Sequence, residues 1–164
     1  MENLPGDYVA GFVDGEGCFY LTYRSEIKHK RAGAPKYFRW TPYFAIVLRK
    51  DDIEILEKIK DTLGCGRIFI LGNQSAQLAV QNIDDLYNKI MPFFKTYPLR
   101  AKKRGDFELW CQALTFVFDK KIKKSSLYSI EDNKLLSSIR TNMKAIKSLS
   151  VKAYKNNPIM EDDA

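Results

Sequence analysis

A single histidine, His29, stands in the 164 residues of this chain. That scarcity argues against Ser-His-Asp triads, histidine-based nuclease chemistry and histidine-rich metal sites. His29 lies in a basic run, where a solvated or phosphate-facing role suits it better than catalysis. Cysteine is nearly as sparse. Cys18, Cys65 and Cys111 are widely spaced and odd in number, so they form neither a disulfide framework nor a zinc pattern, and read as small buried hydrophobes. No apolar run approaches the ~20 residues that span a bilayer, which speaks against a membrane partner. The opening MENLPGDYVAG lacks the basic and apolar regions of a signal peptide. An intracellular setting is expected: an organelle (chloroplast or mitochondrion) or a prokaryotic cytoplasm. What is left for any catalysis is carboxylates, lysines and a metal ion.

What the chain does carry is base and aromatic surface. Lys and Arg outnumber Asp and Glu 27 to 20, for a formal charge of +7 and a pI near 9.2, a balance that points to a polyanion before an acidic small molecule. Hydrophobic residues make up 45% and aromatics 13%, enough for a folded core rather than disorder. The length suits one domain. It is expected over residues 1–155, with a core at about 4–118, a helical extension at about 119–154 and a flexible tail, NNPIMEDDA, at 156–164.

Periodicity predicts the elements. A first helix runs from Pro5 to about Gly15, with Tyr8, Val9, Phe12 and Val13 at helical spacing. GCFYLTYRSEI then reads as a long strand, KHKRAGAPK as a basic turn, and YFRWTPYFAIVL as a second strand in which Pro42 implies an edge or a bulge. KDDIEILEKIKDTLGCG is a helix with a capping box at Asp51 and Glu54, a stripe of Ile53, Leu56, Ile59 and Leu63, and Gly64 at its end. RIFIL, GNQ and SAQLAVQ make a hairpin. Ile83, Leu86, Ile90 and Phe93 mark a third helix ending near Pro98, and DFELWCQALTFVF a fourth. After the basic linker DKKIKKSS, Leu135, Leu136, Ile139, Met143, Ile146 and Leu149 mark a last helix. Strands that arrive as hairpins predict a mainly antiparallel sheet, with helices on one face and the other face open: an α+β fold.

Alternation along the strands says what the open face carries. Tyr20, Thr22 and Arg24 share one side, with Arg39, Thr41 and Tyr43, and with Ser75, Gln77 and Gln81; Arg67, Phe69, Asn73 and Gln74 of the hairpin join them. Between Gly17 and Lys50 the only acid is Glu26. Arg, Gln, Thr, Ser and Tyr are the side chains that bond base edges and phosphates. A two-stranded ribbon fits the major groove, and ten strand residues span about 33 Å, on the order of one turn of duplex. Lys28, Lys30, Arg31 and Lys36 of the turn would lie on phosphates. Double-stranded DNA, or RNA, is the expected partner.

VAGFVDGEG, residues 9–17, places the carboxylate of Glu16 at the end of a helix, where the dipole disfavours an acid. Gly11 and Gly15 are four apart on one helical face, bordered by Ala10 and Asp14. Such a stripe lets two helices touch backbone to backbone, either against the chain's own sheet or against the same helix of a second copy about a twofold axis. In the second case two Glu16 carboxylates and the free carbonyls of two helix ends gather in one place. Mg²⁺ favours such oxygens, completed by water and phosphate.

This stretch resembles the LAGLIDADG motif of homing endonucleases, through Ala10, Gly11, Asp14, Gly15 and Gly17, with Glu16 at the position of the metal-binding acid. YFAIVLRKDDIEILEKIKDTLGCG and YPLRAKKRGDFELW are similar to later segments of that family, so the resemblance covers about residues 4–118. One motif in this length resembles the homodimeric branch. The resemblance implies an αββαββα core with a saddle-shaped antiparallel sheet on DNA, followed by C-terminal helices. It also implies cleavage of both strands of a long pseudo-palindromic site, dependent on Mg²⁺ or another divalent cation such as Mn²⁺, with short 3′ overhangs. Glu16 would bind the metal, with the Gly15 carbonyl as a further ligand. Lys103 matches an active-site lysine, with Lys102 beside it as the alternative. Ala10, Gly11, Asp14 and Gly15 would line the dimer interface. The chain departs from the pattern at Val9, at Glu16 in place of the commoner aspartate, and near Leu48 and Arg49, where relatives often carry a polar residue that positions solvent. A non-cleaving binder, such as a maturase acting on its own intron RNA, is the alternative.

Overall fold

The computed structural model describes residues 3–27, 32–34, 36–125 and 127–155. Lys28, Lys30 and Arg31, assigned above to phosphate binding, and the tail 156–164 lie outside the described residues. Lys36 enters only as strand backbone.

Helix α1, Gly6–Glu16, starts at Pro5, whose carbonyl accepts from the Val9 amide at 3.2 Å. Val9, Ala10 and Val13 bury one face. Strand β1, Gly17–Ile27, follows with no linker. A Cβ on Gly17 would meet Val13 Cγ1 at 2.6 Å and the Val13 carbonyl at 3.0 Å, so glycine is what allows the helix to turn straight into the strand. That junction fixes Glu16 at the corner of the sheet.

Strand β2, Lys36–Arg49, pairs antiparallel with β1 from Ile27↔Lys36 to Gly17↔Ile46. Strands β3, Arg67–Leu71, and β4, Ser75–Val80, form the predicted hairpin, and the sheet order is β1-β2-β4-β3 with every pair antiparallel. Strand β4 reaches β2 only as far as Phe44. Pro42 therefore sits where β2 has an open edge, which is where its missing N–H costs nothing. Gln81 falls one residue past β4.

The capping box expected at Asp51 and Glu54 does not form. A 3₁₀ turn, Lys50–Asp52, precedes helix α2, Ile53–Leu63, whose N-cap Asp52 makes no side-chain bond. Asp51 instead pairs with Arg49 at 2.8 Å and Glu54 with Lys58 at 2.8 Å; a charged neighbour within reach competes for the carboxylate. Gly64 ends α2 with φ 69°, as its place in the pattern predicts. The third helix is broken into α3, Ile83–Asp85, a π turn, Leu86–Ile90, and α4, Met91–Thr96. The wider turn accommodates Pro92, which has no amide for the helical ladder. Helix α5, Lys103–Ile122, begins before DFELW and absorbs half of the expected linker. Helix α6, Ile130–Lys155, packs through Leu136, Ile139 and Met143; Leu135, assigned to the same stripe, is exposed.

The core lies between the sheet and the helices. Phe44, Phe94, Phe107 and Trp110 surround Phe19, with ring centroids 5.1–5.9 Å from its own. Trp110 Nε1 donates to the Tyr20 carbonyl at 3.1 Å, which ties α5 to β1. The three cysteines are free and half-buried; burial pushes the Cys65 thiol up to about 11 and the Cys111 thiol to about 12. No described helix is long and apolar enough to cross a membrane.

Candidate active site and open sheet face

The end of α1 is where the chemistry-bearing residues converge. Asp14, Gly15 and Glu16 are consecutive, but the fold separates their tasks. Asp14 turns its carboxylate into the chain: Oδ2 accepts from the Arg100 amide at 2.8 Å and Oδ1 from the Ala101 amide at 3.2 Å. It thereby pins the loop that leads into α5. Lys103, the first residue of α5, is delivered to the same corner, and its Nζ donates to the Gly15 carbonyl at 3.3 Å. Lys102, one residue earlier, is exposed. Burial pushes the Lys103 ammonium below its usual range, opposed by Cys18, Asp14, Asp106 and Glu16. Glu16 itself is exposed at the mouth of this corner. Leu48 packs against the core and Arg49 pairs with Asp51 at 2.8 Å.

Among the described residues no group of three or more His, Cys, Asp or Glu could hold a metal. The donors at the corner are the Glu16 carboxylate and the Gly15 carbonyl. Both are hard oxygens, so a hard divalent cation fits their chemistry. Two donors are too few for a complete shell.

Gly11 and Gly15 are both exposed, and a Cβ on either would meet nothing within 4 Å. The stripe thus faces away from the chain's own sheet. Ala10, expected to border it, is instead buried at 3% exposure in the core, because it lies on the α1 face that carries Val9 and Val13. Asp14 is engaged within its own chain.

The predicted open face is assembled by the strand register. Tyr20 lies opposite Tyr43, Thr22 opposite Thr41 and Arg24 opposite Arg39. Tyr20 and Tyr43 stack at 4.5 Å, Thr22 Oγ1 donates to the Thr41 carbonyl at 3.2 Å, and the Arg24 guanidinium lies 6.0 Å from the Tyr43 ring centroid. Burial raises both tyrosine hydroxyls above their usual range. Arg67 and Phe69 face Ala79 and Gln77 across the hairpin, with Ser75 beside Arg49 on β2. Asn73 and Gln74 form the hairpin turn. Sequence reasoning left Val47 off this face and named Arg49 only beside Leu48; both continue the alternation from Tyr43 along β2. It also passed over Asp106 and Lys147, whose placement depends on how α5 and α6 pack. A cavity of about 560 Å³ opens beside the free edge of β2, away from Glu16, and Lys120 and Lys121 on its wall are already paired with Asp132 and Asp84.

Known proteins resemble this chain in sequence and fold. The family model for the LAGLIDADG endonuclease matches residues 9–114. The "Probable intron-encoded DNA endonuclease 1" of Mycosarcoma maydis is 32% identical over 101 residues, covering 62% of this chain and 34% of that protein. The "Uncharacterized 50.9 kDa protein in ND4 intron 1" of Podospora anserina is 37% identical over 123 residues, covering 73% of this chain and 26% of that protein. The chain therefore spans about a quarter to a third of the length of these curated relatives. Among solved structures, the homing endonuclease I-TnaI superposes with a TM-score of 0.66 at 27% identity, covering 90% of this chain and 98% of that one. The meganuclease I-AabMI bound to uncleaved DNA superposes with a TM-score of 0.64 at 31% identity, covering 84% of this chain and 44% of that one.

Proposed function

Because this chain belongs to the LAGLIDADG endonuclease family, we propose that it is a site-specific homing endonuclease. Two copies join through the Gly11 and Gly15 stripe and cleave both strands of a long pseudo-palindromic DNA site across the minor groove, leaving short 3′ overhangs. The observation that carries this reading is the convergence of Glu16, the Gly15 carbonyl and Lys103 at the end of α1, on the rim of the open, basic sheet face.

The open face takes the duplex. Arg24 and Arg39, side by side on adjacent strands, repel each other, and a phosphate between them offsets that repulsion. Gln77, Thr22 and Thr41 present donors and acceptors to base edges. Glu16 and the Gly15 carbonyl would hold Mg²⁺ or another divalent cation such as Mn²⁺, with the remaining positions filled by DNA phosphate, water and the second copy. When bound, such a cation supplies charge stabilisation at the scissile phosphate and a more acidic water. Asp14 keeps the 100–101 loop in place, so that Lys103 stays at the corner. There the Lys103 ammonium stabilises the negative charge that develops on phosphate oxygens as the P–O bond breaks. The relatives encoded in introns support an organelle setting.

The test is a plasmid carrying the cognate site, recovered by cleaving a randomised-site library, incubated with the protein and Mg²⁺. The unsubstituted chain should linearise it, while Glu16→Gln should bind it and leave it supercoiled. If both forms bind tightly and neither cuts, the chain is instead a non-cleaving binder, such as a maturase for its own intron RNA.

A further inference from the structure

Two large side chains with no polar atom, Val47 and Phe69, stand on the open sheet face. The register sets Val47 of β2 opposite Gln77 of β4, and Gln77 opposite Phe69 of β3, so the three form one row across the sheet. Val47 is 39% exposed and Phe69 44%. Neither is among the residues that form the core or pack against it. Gln77, between them, is half-exposed. Arg49 follows Val47 by two positions and pairs with Asp51, and exposed Arg67 precedes Phe69 by two. Residues two apart share a face of a strand, so both arginines border the row.

Strand formation does not require this choice of residues. Thr22 and Thr41 on the same face are β-branched as well, and each keeps a hydroxyl for water. Apolar surface left in water instead stabilises whatever complex covers it. Two side chains are far too little for a protein interface, which covers about 800 Å² on each partner. Arg67, with Arg24 and Arg39 elsewhere on the face, favours a polyanion. In the major groove of duplex DNA the apolar feature is the thymine methyl, and the partner of a Gln amide is the N6 and N7 edge of adenine. An RNA duplex offers neither, since its major groove is too narrow for side chains to read. Neighbouring strands lie about 4.8 Å apart, so Val47 and Phe69 stand about 10 Å apart. That distance is roughly three base-pair steps.

We propose that Val47 and Phe69 are specificity-determining residues. Each contacts the methyl group of a thymine, and Gln77 reads an adenine between them, so each half of the target site carries a short A·T-rich stretch at this place. This rests on the function proposed above, in which duplex DNA lies on the open face.

The experiment uses the full chain, without divalent cation so that bound duplexes stay whole. Binding sites are selected from a randomised duplex library. Each thymine of the recovered site is then replaced, one at a time, by deoxyuridine, which removes only the methyl, and Kd is measured. Two thymines in each half-site should each lose roughly fourfold in affinity, the weight of one buried methyl-sized group. In Phe69→Ala the loss at one of them should vanish, and in Val47→Ala the loss at the other. A repeat selection with Gln77→Ala should relax the choice of base between them. An unchanged Kd with deoxyuridine at every thymine overturns the proposal, and that measurement needs no variant to fold. A loss that persists in both alanine variants also overturns it, because other residues then touch the methyls. If the library returns no bound duplex, the DNA reading itself fails and takes the proposal with it. Tight binding that ignores the methyls removes the proposal alone.

Discussion

Asp14 shows how much one carboxylate decides. Its two oxygens take the amides of Arg100 and Ala101, 86 and 87 positions away in sequence, and so carry Lys103 to the Gly15 carbonyl. Asp14→Asn keeps the size but turns one acceptor into a donor facing an N–H. We expect it to cost about 1–3 kcal/mol, the range for a hydrogen bond to a charged group and its orphaned partner, read from the denaturant midpoint. We expect it also to slow cleavage while DNA binding persists, because the open sheet face is untouched. A full cleavage rate in a destabilised Asp14→Asn would separate the loop from the chemistry. Neither partner amide is legible in the sequence, since nothing near Asp14 marks residues so far along the chain. The motif places Asp14 at a helix–helix border, but its bonds run to its own chain's loop.

Under the proposed function, helix α1 is the element on which assembly would turn. Its inner face, Val9, Ala10 and Val13, is spent on the core, while Gly11 and Gly15 open outward with no neighbour within 4 Å of a Cβ. A side chain at Gly11 therefore starts in open space, with nothing of the chain within 4 Å of its Cβ, so Gly11→Leu tests mainly what lies outside the chain. Gly11→Leu should fold normally by circular dichroism and elute as a monomer on size exclusion, with double-strand cutting lost. A dimer of unchanged size would place the interface elsewhere. At this scale the sequence is legible where one local rule governs. Alternation places Tyr20, Thr22 and Arg24 on one face, and the register sets them against Tyr43, Thr41 and Arg39. It misleads where rules compete. The Asp51 and Glu54 spacing fits a capping box, but Arg49 and Lys58 draw both carboxylates away. The pattern Ile83, Leu86, Ile90, Phe93 fits one helix, but Pro92 forces a π turn into it.

For the molecule as a whole, the charge of +7 sets the expected response to salt. Arg24 and Arg39 concentrate that charge on the open face. Replacing both with Gln should make the fall of log K with log[salt] shallower by about 0.9 for each phosphate no longer neutralised, so by about 2 for each copy of the chain. Filter binding between about 50 and 200 mM salt, a range over which such complexes weaken steeply, measures it. An unchanged slope with weaker binding would move the two arginines from phosphates to bases.

The sequence by itself determined the order of helices and strands, the antiparallel hairpins, the polar open face and the acid at the end of the first helix. These follow from backbone periods of 2 and 3.6 residues and from side-chain chemistry, which act within a few positions. Only the tertiary structure brought Lys103 rather than Lys102 to the Gly15 carbonyl, buried Ala10 and Asp106, and turned Asp14 toward its own loop. Each of those depends on contacts between segments as many as 88 residues apart. The path of the chain brings such segments together, and no local pattern records that path.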